Sequence, residues 1–168
     1  MIAPFMVKEA AEKLEDSNIK FRSFLKNRAD SDELDAHYLK LHNELFAEYD
    51  CNKCRNCCKI YDTYLDDNEI KNIAEFLKLS VNDFVDKYLK KTDEGFKING
   101  KPCCFLLTDG RCQIEECKPT SCIDYPYTNK SDRLFSLLGM LGFVEVCPVA
   151  FEIFERLKEI YSFMNRVH

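Results

Sequence analysis

Cys51-Asn52-Lys53-Cys54-Arg55-Asn56-Cys57-Cys58 places four thiols within eight residues. Two residues separate each of the first three cysteines, so a single loop can wrap a small soft ion or the face of a cluster with all three sulfurs converging on it. The stretch also breaks the pattern on either side. Upstream, Asp30 followed by Glu33 is a helix start signal, and Leu34, Tyr38, Leu41 and Leu45 recur at helical spacing, which predicts an amphipathic helix ending near Tyr49. The cysteine stretch itself, with Asn52, Asn56 and a cysteine pair, reads as an irregular loop on that helical stem.

Working outward, residues up to about Arg28 hold helix formers with irregular apolar spacing, which suits one helix or a broken pair. Downstream, Asp66 with Glu69 and Ser80 with Asp83 open two short helices, carrying Ile70, Ile73, Ala74 and Leu77, then Phe84, Val85, Tyr88 and Leu89. Between Phe96 and Ile114 the turn dipeptides Asn99-Gly100 and Asp109-Gly110 predict a hairpin or a pair of hairpins around Cys103-Cys104 and Cys112. From Ser131 to Val146 an apolar run including Leu134, Leu137, Leu138, Leu141 and Phe143 reads as a core helix interrupted at Gly139 and Gly142. Cys147-Pro148 then opens a final helix with Ala150, Ile153, Phe154, Leu157, Ile160, Tyr161 and Met164 on its apolar face.

The fold class expected is mainly α with a small β-hairpin region (α+β), an irregular cysteine-rich core flanked by helices. One domain over 1–168 is expected: a helical segment to about 49, a metal-chelating core over about 50–148 and a last helix over about 148–166. A composition of 46% hydrophobic and 32% charged residues belongs to a packed globular chain. The net charge of -5 argues against nucleic acid, which needs clustered Lys and Arg. Lys8, Glu9, Glu12 and Lys13 stand where a secretory leader would be apolar, and no run reaches membrane-spanning length, so the expectation is a cytoplasmic protein with no membrane partner. In a reducing compartment, ten cysteines read as metal ligands or redox groups before disulfides.

After the hairpin region the chain continues Cys103-Cys104-Phe105-Leu106, Cys112-Gln113-Ile114 and Lys118-Pro119-Thr120-Ser121-Cys122-Ile123-Asp124-Tyr125-Pro126. With the first stretch, this order resembles the CxxCxxCC family, a YkgJ-type group of cysteine-cluster proteins described as zinc- or iron-chelating domains. Its pattern runs CxxCxxCC, then CxFL, then CxIYxxRPxxCRxYP or CRxFP. The resemblance implies metal ligation by Cys51, Cys54, Cys57, Cys58, Cys103, Cys112 and Cys122, and it leaves Cys104 and Cys117 at variable positions. Glu115 stands for the usual Tyr, and Lys118 and Ile123 for usual arginines, which weakens the basic partners while sparing the cysteines. Some members carry the name flagellin N-methylase, which implies a protein-modification role; the five glycines form no GxG-type loop for a methyl donor.

Cys147 joins the seven as an eighth candidate thiolate, because Cys-Pro also closes ferredoxin ligand runs and a helix N-terminus favours a thiolate; its alternative reading is a buried apolar thiol. Cys57 is expected to join Cys51 and Cys54, with Cys58 pointing elsewhere. Tyr61, Tyr64, Tyr125 and Tyr127 lie around the cysteine segments, and His37, His42 and His168 read as ordinary core or surface residues. Three consecutive ligands with a distant fourth favour one or two 4Fe-4S iron-sulfur clusters with an electron-transfer or redox-accessory role and an unidentified protein or redox partner. A structural zinc module that binds another protein is the alternative.

Overall fold

The computed structural model describes residues 1–163, so Met164 and His168 lie outside the described residues. In chain order its α-helices are α1 (Val7–Lys13), α2 (Glu15–Arg28), α3 (Ser31–Phe46), α4 (Cys51–Cys54), α5 (Asn56–Ile60), α6 (Asp67–Phe76), α7 (Val81–Tyr88), α8 (Thr120–Asp124), α9 (Arg133–Val144) and α10 (Pro148–Ile160). The strands are β1 (Tyr64–Leu65), β2 (Leu89–Thr92) and β3 (Gly95–Ile98), with β3 central and antiparallel to both neighbours. The mainly α reading with a small β region is borne out. The chain divides into two compact units, Met1–Asp50 together with the chain from Pro126 onward, and Cys51–Tyr125.

The first unit is a helical bundle. The N-terminal helix is indeed broken, at Leu14, between α1 and α2. Asp30 caps α3 by accepting from the Asp32 and Glu33 amides, and Leu34, Tyr38, Leu41 and Leu45 are buried, as their spacing requires. Helix α9 packs on α2, α3 and α10. It runs unbroken through Gly139 and Gly142, because burying Leu137, Met140 and Val144 outweighs a glycine penalty of about 1 kcal/mol per residue. Its other face departs from the expected core: Leu138 is 67% exposed. Helix α10 starts at Pro148 as expected and buries Ala150, Ile153, Phe154 and Leu157, while Ile160 is exposed. Buried Lys158 donates to Asn18 at 2.6 Å and to Glu155 at 2.6 Å, which satisfies a charge that would otherwise be desolvated without a partner.

The second unit holds all the cysteines except Cys147. Its core is Leu65, Ile70, Ile73, Ala74, Phe84, Leu89, Ile98, Phe105 and Ile114, and the partly buried Cys103, Cys112 and Cys117 pack against it. Asp66 and Glu69 close a full capping box on α6, and Ser80 caps α7 through the Asp83 amide.

Two sequence expectations need correction here. The cysteine stretch is not an irregular loop but two short helical turns, α4 and α5, separated at Arg55, whose backbone is left-handed (φ 53, ψ 21). The hairpin also lies earlier than predicted: β2 and β3 turn at Asp93-Glu94-Gly95, where Gly95 takes a positive φ of 121, and Asn99-Gly100 follows the strands instead of joining them. The reason lies in Leu89 and Ile98, which face each other across the pair and are buried, so that hydrophobic register rather than the Asn-Gly dipeptide sets the turn. Asp109-Gly110 does make a tight turn, closed by the bridge Leu106–Cys112.

Candidate metal centre

Three segments deliver the thiols. Helices α4 and α5 carry Cys51, Cys54, Cys57 and Cys58; the Asp109-Gly110 turn is flanked by Cys103-Cys104 and Cys112; and α8 carries Cys122. A backbone hydrogen bond ties the first to the second, the Cys103 amide donating to the Cys58 carbonyl at 2.8 Å, and the second is closed on itself by the Gln113 amide donating to the Phe105 carbonyl at 2.8 Å. The third is tied through Glu69. One of its oxygens serves the α6 capping box at the Asp66 amide (3.1 Å), and the other accepts from the Thr120 amide at the start of α8 (2.8 Å). Replacing Glu69 by Ala removes both acceptors and is expected to lower unfolding free energy by about 1–2 kcal/mol, with Glu69→Gln losing less; equal denaturation midpoints for Glu69→Ala and the wild type would refute the double role.

The sulfurs of Cys57 and Cys58 are 4.0 Å apart, so these adjacent residues do not point to separate places as expected. The charge of Cys58 acts to raise Cys103 and Cys122, and that of Cys112 opposes the lowering of Cys104 and raises Cys117. Cys122 is exposed as a whole residue, with its sulfur 3.6 Å from the Thr63 hydroxyl. Cys51 is exposed at the start of α4 and Cys54 half-buried at its end. Cys147 belongs to the other unit, where it is the N-cap of α10 and 6% exposed, the setting of an apolar core thiol. The described imidazoles also lie in that other unit: His37 faces Glu33 at 3.4 Å, and His42 pairs with Thr128 at 2.8 Å, with burial lowering its pKa.

The thiols are not equivalent. The Cys57 hydrogen bond, followed by the charges of Arg55 and Lys118 acting against desolvation, pulls Cys58 from the ordinary 9.0 to about 6. The Cys104 hydrogen bond and burial push Cys103 up, the same bond lowers Cys104, and burial raises Cys112, Cys117 and Cys122. Cys58 therefore contributes stability to the metal-free chain in full above pH 9.0, and that contribution declines as pH falls and is lost below about 6. At neutral pH, iodoacetamide is expected to label Cys58 ahead of Cys112 and Cys122 in the metal-free protein; peptide mapping that finds Cys58 labelled only in the ordinary thiol range would contradict this.

Arg55 is the residue that sequence reading missed. It is 6% exposed; its Nε donates to the Gly110 carbonyl at 2.7 Å, and its Nη2 donates to Asn52 Oδ1 and to Glu115 Oε2 at 3.1 Å. Lys118 also pairs with Glu115. Nothing local distinguishes Arg55 from exposed Lys53 on the same motif; only the fold buries one of them. Its left-handed backbone costs about 1–2 kcal/mol for a residue with a Cβ. Tyr61 and Tyr125, centroids 5.3 Å apart, pack together in this unit.

Among the described residues, no three His, Cys, Asp or Glu side chains are grouped tightly enough to hold a metal ion as they stand. The donor chemistry nevertheless fits one: soft thiols from three tied segments, packed on an apolar floor, with Arg55 and Lys118 beside them. Ligation would have to draw these sulfurs inward. Residues 50–138, just over half of the 168, match the family model CxxCxxCC, described as "Putative zinc- or iron-chelating domain". No solved structure matches the chain.

Proposed function

The chain belongs to the CxxCxxCC family of zinc- or iron-chelating domains, and from that premise we propose that the Cys51–Tyr125 unit holds a 4Fe-4S type iron-sulfur centre with an electron-transfer or redox-accessory role. One observation carries the reading: Cys51, Cys54 and Cys57 stand at two-residue intervals as three consecutive thiols, the habit of 4Fe-4S ligand runs, whereas zinc sites take their cysteines in pairs from two knuckles. Four thiolates hold one such cluster, and Cys51, Cys54, Cys57, Cys58, Cys103, Cys112 and Cys122 are the thiols from which they would come; a bound cluster would supply one-electron chemistry.

The chain's own part is to hold the donors and temper their charge. The Cys104 hydrogen bond, then burial, holds Cys103 as a neutral thiol, and burial does the same for Cys112, until a cation displaces their protons, while Arg55 and Lys118 offset the thiolates that result. The redox partner would be a protein that reaches the exposed Cys122 and Cys104 side. A second reading is a structural zinc site, since Cys51 and Cys54 keep the two-residue spacing of a zinc knuckle.

Anaerobic purification followed by a visible spectrum and iron, zinc and acid-labile sulfide analysis separates the two. A brown protein with iron and sulfide in equal amounts is expected. A colourless protein with stoichiometric zinc and no sulfide would replace the first reading by the second.

A further inference from the structure

The Arg55 backbone occupies the left-handed region, which glycine enters freely and arginine does not, yet a long cationic side chain is kept there and buried. Its guanidinium reaches three segments, each of which bears cysteines. Asn52 lies between Cys51 and Cys54, Gly110 lies two residues before Cys112, and Glu115 lies between Cys112 and Cys117. The approach is close enough that a Cβ on Gly110 would stand 3.0 Å from the Asn52 carbonyl, so the α4 turn and the Asp109-Gly110 turn are held backbone to backbone where Arg55 staples them.

Glu115 pairs with both Arg55 and Lys118, so the staple brings two cations to the cysteine-bearing turns. Resting on the metal-centre reading above, we propose that Arg55 is a positioning residue for that centre. Its fork fixes the Cys51–Cys58 turns against the Cys112 turn, and its buried charge offsets the negative charge that the thiolates bring when metal binds. Glycine at this position would relax the backbone and remove both services, whereas lysine would return the charge without the fork.

The test is a zinc titration of the metal-free wild type, R55G and R55K against a chromophoric chelator, with the thermal midpoint of each metal-free chain and the thiolate charge-transfer band of each cobalt-loaded form. R55G is expected to keep or raise the metal-free midpoint, to bind zinc about 10–100-fold more weakly and to shift the cobalt band. R55K is expected to recover part of the loss. Wild-type affinity in R55G overturns the proposal, as does an R55G that cannot fold alongside an R55K that binds like wild type. A wild-type chain that takes up neither zinc nor cobalt overturns the metal-centre reading itself, and the positioning role falls with it.

Discussion

In the Cys112→Ser protein, metal retention is expected to fall by more than about 100-fold, beyond the usual reach of outer-shell changes, while the metal-free chain folds as before. Cys112 is fixed in the bridge with Leu106 and half-buried against the second unit's core, so its sulfur is the least free of the donors to be replaced by a neighbour swinging in. Serine is nearly isosteric and keeps the backbone bridge, which is why the metal-free fold should barely register the change. A hydroxyl, however, is a hard donor that gives up its proton far less readily than a thiol, and a soft ion gains little from it. Burial already raises the Cys112 thiol above its usual range, so binding must displace that proton, and uptake by the wild type should weaken as pH falls. Chelator competition at matched pH reads both effects; a serine variant with unchanged affinity would remove Cys112 from the ligand set.

Phe105→Ala is expected to destabilise the protein by about 3–5 kcal/mol and to loosen metal binding with it. The ring is fully buried, stacked on Phe84 at 6.4 Å and tilted against Tyr88 at 5.1 Å. It directly follows Cys103-Cys104, and its carbonyl accepts from the Gln113 amide, so it pins both sides of the Asp109-Gly110 turn to the core. A cavity at this point frees the turn that presents Cys103 and Cys112. Chemical denaturation should show the loss in stability, and the chelator assay a weaker affinity than wild type. A loss below about 1 kcal/mol would mean that the ring is not the anchor of that segment.

What could be read from the residues was local. Asp30, Asp66 and Ser80 announced their helices because a capping side chain acts on amides only two or three residues away. The cysteine motifs announced a metal-binding region for the same reason, since ligand spacing is a property of a short stretch. What could not be read depended on partners distant in sequence. Asn99-Gly100 lost the hairpin to a register set by Leu89 and Ile98, and Gly139, itself exposed, failed to break α9 because the helix's opposite face is buried by three other helices.

The same division runs through the candidate site. The family resemblance named Cys51, Cys54, Cys57, Cys58, Cys103, Cys112 and Cys122, but it did not reveal that Cys57 and Cys58 lie together, because the α5 turn follows from a left-handed residue at a position with no glycine or asparagine to signal it. The basic partners seemed weakened by Lys118 and Ile123, yet Arg55 supplies a guanidinium from inside the first motif. Its partner Gly110 lies 55 residues away, and Glu115 lies 60, so only the folded chain brings them to it. Glu69 was legible as half of a capping box; its second bond, to Thr120 51 residues on, was not.

The central claim is that thiols of the Cys51–Tyr125 unit are the side chains that hold the bound metal, whether as a single ion or within a cluster. X-ray absorption at the edge of whichever metal the purified protein carries tests this most directly. The expected result is a first shell of sulfur only, at about 2.3 Å if the metal is zinc, with no imidazole signature, since no histidine stands at ligand spacing from a cysteine. A first shell dominated by oxygen or nitrogen near about 2.0–2.1 Å would contradict it.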